Sequence, residues 1–587
     1  MAVPADFIPR CLSLDLEVGR NDARIHSLGA IRADTGRTLC FDGGDLTQAL
    51  RRLDRLADGA AFVLGHNLVA FDLPHLRAAD PGLKLLELDR VDTLWLNPLA
   101  FPRNPYHHLV KHYKDGELAR VQRNQPLDDA RLALELFKDQ IRELQLSASV
   151  TPDLVSAWHW LTTVDASVSG LNAFFATVRR ALRPSQSQAH EAIGRFLHGR
   201  ACASHARAAV ENAAHHGWSL AYALAYISVA GGNSVMPPWV RHQFPAAGQL
   251  VTTLRDEPCA DPDCDWCRER HDARRELRRW FGFTTFRAEP ADESGRSLQE
   301  AIVETAMRRR HALAILPTGA GKSLCYQLPA LSRYDKVGAL TVVISPLVSL
   351  MADQVAGLEA RGIGCCAALN GLLSMPERAD VIERMRMGDI GILLVAPEQL
   401  RSRSFRDALR AREIGGWVLD EAHCLSKWGH DFRPDYRYVG RFIRELGAEH
   451  PLAPVLCLTA TAKPEVVRDI LDHFQSRLGL ELARFDGGAR RENLSFTVVP
   501  TTGGEKAAHL LQVIEAELPR QTPGGGIVFC ATRKATEDMA QLLRLSGLQV
   551  EHYHAGLSPE RKKDIQSAFI NGELRIIVAT NAFGMGI

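Results

Sequence analysis

The sequence predicts a multi-domain α/β protein. Three observations carry that reading. The apolar run 312–316 passes through the turn Pro317-Thr318-Gly319-Ala320-Gly321 into Lys322-Ser323 and the helical pattern SLCYQLPAL. A second apolar strand, GGWVL (415–419), ends on Asp420-Glu421-Ala422-His423. A third, RCLSLDLEVG (10–19), carries Asp15 and Glu17 two positions apart, and the period of a strand sets both carboxylates on one face. A chain of 587 residues is too long for one domain and suits about three to five.

Composition narrows the class. Hydrophobic residues make up 46% and charged residues 24%, ordinary values for a globular protein. The net charge of +1 supplies no global basic field, although a groove can be locally basic on a neutral protein. The N-terminal MAVPADFIPR lacks the charged and apolar regions of a signal peptide, and no apolar run is long enough to span a bilayer. The twelve cysteines lie mostly in strand-like apolar segments, as Cys11, Cys457 and Cys530 do. That pattern predicts a reducing, cytoplasmic setting rather than a disulfide framework.

The glycine-rich turn has a direct chemical reading. Without a Cβ in the way, backbone N–H groups can face phosphates; Lys322 then reaches the β/γ-phosphates and Ser323 can hold Mg²⁺. The strict pattern has glycine at its first position, where this chain has Leu316. Downstream come TVVISPLVSLMADQV (341–355), VAPEQL (395–400), VLDEAHCLSKWGHDFRPDY (418–436) and LCLTATA (456–462). GGIVFCATRKATEDMAQLL (525–543), YHAGLSPERKKDIQSAF (553–569) and VATNAFGMGI (578–587) follow in order. From about Leu277 to the last residue this resembles the RecQ family of superfamily 2 DNA helicases. The aromatic-rich loop after Asp420-Glu421 is the most specific part of the match.

The resemblance implies two RecA-like lobes, with ATP and Mg²⁺ as cofactors. It implies that Phe283 stacks on adenine while Arg287 and Gln299 hydrogen-bond to it, although an insertion, AEPADESGRSL, separates those two. Thr318, Gly319, Gly321, Lys322 and Ser323 would cradle the phosphates. Asp420 would hold Mg²⁺ and Glu421 would polarise the attacking water. His423 and the Thr459/Thr461 segment would link nucleotide state to DNA. Trp428, Phe432, Arg433 and Tyr436 would offer flat faces and a cation to single-stranded DNA. The family continues past the ATNAFGMGI motif into an arginine-bearing motif, so a second lobe cut short at Ile587 is expected.

A second chemistry stands in front. Asp72 falls in FVLGHNLVAFDLPHL where a strand gives way to a helix, and Asp129 opens the amphipathic pattern NQPLDDARLALELF. With Asp15 and Glu17, these carboxylates can hold two Mg²⁺ or Mn²⁺ roughly 4 Å apart, the arrangement for cleaving a phosphodiester. Residues 8–145 resemble the DEDD family of 3′→5′ exonucleases, which implies an RNase H-like fold, these four acids as metal ligands, and His66-Asn67 ahead of the third. One branch of that family has a histidine base where Asn124 stands, and the other a tyrosine where Gln125 stands. Three readings follow: His107, His108 or His112 supplies the base, metal-bound hydroxide suffices, or the domain only binds metal and DNA ends.

Residues 150–250 show helix-like spacing with no recognisable chemistry. Next, Cys259, Cys264, Cys267 and His271 follow the spacing C-x4-C-x2-C-x3-H, which predicts a structural Zn²⁺ site. The expected organisation is an exonuclease-like domain (1–148), a helical linker (149–250), a zinc junction (251–275), lobe 1 (276–485) and a partial lobe 2 (486–587). The expected partner is DNA with single-stranded regions or 3′ ends, in repair, recombination or DNA defence. The expected location is the cytoplasm, on a bacterial nucleoid.

Overall fold

The computed structural model describes residues 7–19, 23–104, 125–164, 166–230, 235–427, 433–447, 452–460, 463–488, 494–519, 524–580 and 583. They fall into two units, Met1–Ile344 with Gly364–Gly488, and Ser345–Ile363 with Ala489–Ile587. Among the described residues no helix is long and apolar enough to cross a membrane.

The front of the first unit is a five-stranded sheet ordered β3-β2-β1-β4-β5. Its strands are β1 (Cys11–Val18), β2 (Ile25–Arg32), β3 (Thr38–Asp42), β4 (Phe62–Gly65) and β5 (Asp89–Asp92). β1, β2 and β3 run antiparallel, whereas β4 and β5 join β1 in parallel. Leu12, Leu14 and Leu16 are buried, which leaves Asp15 and Glu17 to the opposite face. The helix Pro126–Val150 crosses that face. It comes so close to β2 that a Cβ on Gly29 would run into the backbone of Pro126 and Leu127. Ser13 Oγ donates to the Ala130 carbonyl at 2.7 Å and pins the same turn to β1.

The helices that follow are not a separate body. Trp158, Phe174, Phe175 and Tyr222 share one core with Phe62 of the front sheet, with Trp95 and Phe137 on the helices packed against that sheet, and with Val337 and Ala339 further on. The Trp158 indole donates to the Ala221 carbonyl at 3.0 Å, and the Tyr222 hydroxyl to the Trp95 carbonyl at 3.0 Å. Aromatic side chains of this size are tolerated in a core when their polar ends find such partners.

The remainder of the first unit is a seven-stranded sheet ordered β12-β6-β11-β10-β7-β9-β8. The strands are β6 (Ala312–Ile315), β7 (Leu340–Ile344), β8 (Cys366–Leu369), β9 (Ile392–Val395), β10 (Ile414–Leu419), β11 (Val455–Thr459) and β12 (Ala483–Asp486). Every pairing is parallel. β6, β7, β9 and β11 are buried at every residue, as expected where helices cover both faces of a parallel sheet. The order puts β11 between β6 and β10, so their C-terminal ends share one rim, where ligands of open α/β sheets bind.

In the second unit, β13 (Gly526–Phe529), β14 (Val550–Tyr553) and β15 (Ile576–Ala579) form a parallel sheet ordered β13-β15-β14. The helix Arg533–Leu545 packs Ala540 and Leu543 against Val550, Ile576 and Val578.

Candidate nucleotide, metal and nucleic-acid sites

The phosphate turn leaves β6 and is lashed to β11: Leu316 N donates to the Thr459 carbonyl at 3.0 Å. Gly319 (φ 87°) and Gly321 (φ 77°) adopt the left-handed conformation that a side chain would strain. Thr318 and Gly319 are exposed, and Lys322 opens the helix Lys322–Val337. Ser323 follows, half-buried, with a side-chain hydrogen bond to Tyr326. A helix N-terminus with a lysine on it is a ready site for phosphate.

The acidic pair arrives from β10. Lys322 Nζ lies 3.6 Å from Glu421 Oε1, and Glu421 Oε2 lies 3.2 Å from His423 Nδ1. That nitrogen is also 3.2 Å from Thr459 Oγ1. A continuous chain, Lys322–Glu421–His423–Thr459, therefore joins the ends of three strands. Burial alone would raise the Glu421 carboxyl, but the His423 hydrogen bond and the Lys322 charge hold it below the usual carboxylate range. Glu421 takes a left-handed backbone (φ 49°), costing about 1–3 kcal/mol, an expense typical of functional turns. Asp420 Oδ1 accepts the Glu421 N–H at 3.1 Å.

Tyr436 corrects the sequence reading. It is fully buried, and its hydroxyl lies 2.7 Å from the Asp420 carbonyl and 3.2 Å from that of Ile344. It braces the acidic turn from within the core and presents no face to DNA. Arg433 is half-buried, with its N–H on the Cys424 carbonyl at 2.9 Å. Trp428, Phe432 and Thr461 lie outside the described residues.

Gln299 reaches the phosphate turn. Its Nε2 donates to the Gly321 carbonyl at 3.0 Å and its Oε1 accepts the Arg287 N–H at 3.1 Å. A Cβ on Gly321 would collide with that amide. The insertion closes on itself, since Leu298 N donates to the Pro290 carbonyl at 3.0 Å and Ala291 bridges to Ser297. Arg287 and Gln299 thus meet although twelve positions separate them. Phe283 is 45% exposed and stacks near-parallel to Phe281 at 6.3 Å.

The far end of the Lys322–Val337 helix is tied down as firmly as its start. The carbonyl of Lys336 accepts from Arg255 Nε at 2.6 Å, that of Val337 from the Tyr226 hydroxyl at 2.9 Å, and that of Gly338 from Arg412 Nη2 at 2.8 Å. Cations suit the negative end of a helix and satisfy its last carbonyls. Beside them, buried Asp256 receives Lys336 Nζ at 2.7 Å, Arg333 Nε at 2.8 Å and Arg309 Nη1 at 3.1 Å. Burial would raise this carboxyl, yet the three cations hold it far below the carboxylate range. Sequence reasoning passed over Asp256, which no local pattern marks.

On the front sheet, Asp15, Glu17 and Asp129 bring carboxylate oxygens within 4.8 Å of one another. Asp72 stands beside that trio rather than in it: its Oδ1 accepts the Leu16 N–H at 3.1 Å. Burial, and then the charge of Asp15, push its carboxyl well above the usual range. Clustered oxygens of this kind are the donor set of a hard divalent cation. Asp92, also missed from sequence, accepts the N–H groups of Asn67 (3.0 Å), Val69 (3.0 Å) and Leu94 (2.9 Å) and so shapes the turn before Asp72. Its place ahead of the helix Thr93–Ala100 is a capping signal that the sequence does carry. His66 Nδ1 pairs with Thr93 Oγ1 at 2.9 Å. Gln125 is exposed at the start of its helix, while Asn124, His107, His108 and His112 lie outside the described residues.

The cysteine site needs a second correction. Cys259, Cys264 and Cys267 do converge, but the fourth member is Cys202, not His271. The His271 ring points elsewhere, with Nδ1 3.4 Å from Lys336 Nζ. Burial, and then that lysine, lower its pKa to about 3. Cys202 belongs to the stretch expected to be a plain linker, and its distance along the chain hid it.

Residues 296–470 match the DEAD/DEAH box helicase family, and residues 505–587 match the helicase conserved C-terminal domain. The chain is 37% identical over 313 residues to the probable ATP-dependent DNA helicase RecS of Bacillus subtilis (strain 168), covering 53% of this chain and 58% of that protein. It is 38% identical over 317 residues to the ATP-dependent DNA helicase RecQ of the same organism, covering 54% and 49%. It is 37% identical over 319 residues to the RecQ-like DNA helicase blm-1 of Caenorhabditis elegans, covering 53% and 30%. The chain spans about half the length of the first curated relatives it matches. Over residues 296–587 the chain is similar to DEAD/DEAH-box helicases, and among them to DNA helicases of RecQ type.

Proposed function

We propose that the chain is an ATP-driven DNA motor of RecQ type with a metal-dependent 3′→5′ DNA exonuclease in front. The observation that carries the motor is the Lys322–Glu421–His423–Thr459 chain at the rim of the parallel sheet. Lys322 and the turn's N–H groups bind the β/γ-phosphates. Glu421, kept ionised, accepts a hydrogen bond from the attacking water and aligns it with the γ-phosphate. His423 hands any shift of Glu421 to Thr459, at the end of the neighbouring strand. Ser323 and Asp420 would hold Mg²⁺, which supplies charge neutralisation on the phosphates. Gln299 fixes the turn against Arg287, and exposed Phe283 offers a face to the adenine. Lys322→Ala should lower DNA-stimulated ATP turnover by about a hundredfold or more. Equal turnover in mutant and wild type would remove the phosphate-loop assignment.

The front domain is supported by three acids from β1 and a distant helix meeting within 4.8 Å. Asp15, Glu17 and Asp129, with Asp72 beside them, would hold the divalent ions, which supply an activated water and a stabilised leaving oxygen. Substrates are DNA with single-stranded regions or 3′ ends, in repair, recombination or defence, and the setting is cytoplasmic. A second reading, a slow or inactive nuclease that reads DNA ends, is favoured by Gln125, whose amide accepts no proton near neutral pH. Strands labelled at the 3′ or the 5′ end, with Mn²⁺ or EDTA, separate the two. Metal-dependent loss from the 3′ end, abolished by Asp15→Ala, supports the nuclease; binding without trimming supports the reader.

A further inference from the structure

We propose that Cys202, Cys259, Cys264 and Cys267 hold one structural Zn²⁺ as a closed tetrathiolate, and that this ion fastens the helical region to the segment entering the motor. The four sulfurs all lie within 4.8 Å of one another. Cys259 Sγ is 3.6 Å from Cys267 Sγ, and Cys264 Sγ is 3.9 Å from Cys202 Sγ. A tetrahedron with Zn–S bonds of about 2.3 Å has S–S edges of about 3.8 Å. The two measured separations straddle that value. They are far too long for disulfides, and all four cysteines are free. A four-iron cluster puts each cysteine on its own iron and spreads the sulfurs further apart, so one ion is the better fit.

Backbone and composition around the four sulfurs suit a metal staple. The Cys259 N–H points at Cys267 Sγ, 3.4 Å away, the kind of backbone support that metal-bound sulfur receives. The stretch 257–265, EPCADPDCD, has almost nothing apolar to bury. What it does pack is small: Cys259 and Cys264 join Cys202, Cys267 and Trp266 in one cluster. A loop of this composition needs a staple to hold one conformation. The staple joins distant parts of the chain, since Cys202 and Cys264 stand sixty-two positions apart. Cys202 precedes the helix Ala203–Glu211, and its N–H donates to the Leu254 carbonyl at 2.8 Å. The Trp266 indole donates to the Arg255 carbonyl at 3.2 Å, with the Arg255 guanidinium 4.7 Å from its ring centroid. Zn²⁺ with four protein sulfurs keeps no open position, so the site is structural and carries out no reaction.

The test is the metal content of the full chain, purified from cells grown with both zinc and iron. About one zinc per chain is expected, lost in Cys202→Ser and kept in His271→Ala. To guard against misfolding of Cys202→Ser, Co²⁺ exchange into wild type and His271→Ala provides an independent reading. Both proteins should show the same sulfur-to-metal charge-transfer and visible bands of a four-sulfur site. A spectrum of three sulfurs and one nitrogen that changes in His271→Ala would overturn the ligand set, as would full zinc retained in Cys202→Ser. Bound iron in place of zinc would overturn the metal. A metal-free protein, with or without the mass loss of disulfide formation, would overturn the site.

Discussion

Asp256→Asn tests the seam between the helical region and the motor. The carboxylate is fully buried, and two of its three cations, Lys336 and Arg333, are only 1% and 4% exposed. Arg309 is 27% exposed, so its pairing adds about 1 kcal/mol at most. Removing one partner of a buried pair costs about 3–5 kcal/mol, because the remaining charge stays buried without compensation. One carboxylate serves both cations, so the two losses do not add, and about 4 kcal/mol is expected. At about 1.4 kcal/mol per decade, that is roughly a thousandfold loss of amide protection. Native-state hydrogen exchange in the helices Ala246–Asp256 and Lys322–Val337 measures it directly. The sign of the pH dependence is also set. A carboxyl held below its usual range stabilises the fold above about pH 3.9, and that stability is lost only as pH falls through its lower native value. The deficit of the mutant should therefore be equal at pH 5 and pH 8. Less than a tenfold change in protection, or a deficit that vanishes at pH 5, would refute the reasoning.

Gln299→Ala leaves the Arg287 N–H without its acceptor and takes one donor from the Gly321 carbonyl, which keeps the Leu324 N–H, at a cost of about 1–3 kcal/mol. The KM for ATP should rise about tenfold or more, with DNA affinity unchanged. His159 makes the fold acid-sensitive. It is buried, and its Nδ1 lies 2.8 Å from Arg179 Nη1, so it must accept there. Burial lowers its pKa to about 4. Between about pH 6.5 and the native value only the unfolded chain takes the proton, so stability is full above that window and falls across it. The loss amounts to about 3 kcal/mol, and His159→Asn should flatten the dependence of Tm on pH from 7.5 to 5. Gly29→Ala should push the Pro126–Val150 helix away from β2 and weaken Mn²⁺ binding at Asp15, Glu17 and Asp129, measured by titration calorimetry.

Local pattern made much of this legible. The phosphate turn, Asp420-Glu421 and the Asp15/Glu17 pair are short motifs whose geometry follows from a turn or from the period of a strand. Tyr436 was misread because the preceding loop is polar, although the opposite signal was present. Tyr436, Val439, Gly440 and Ile443 repeat at i, i+3, i+4 and i+7, and all are buried on one face of the helix Pro434–Gly447. Cys202 and Asp256 are different in kind. Their roles arise only when segments far apart in the chain meet, and neither has neighbours in sequence that announce it.

The helix Lys322–Val337 begins at the phosphate turn and ends inside the core that the front sheet shares. Its sixteen residues make a rod of about 24 Å. In the proposed motor its first residue meets nucleotide, while its last carbonyls accept from Arg255 and Tyr226 of the helical region. Any influence carried along such a rod runs both ways with equal strength. If nucleotide changes the hold of the front domain on a DNA end by some factor, a DNA end must change the hold on nucleotide by the same factor. Nucleotide affinity measured with and without a bound 3′ end is thus a gauge of how far the front domain and the motor act as one machine.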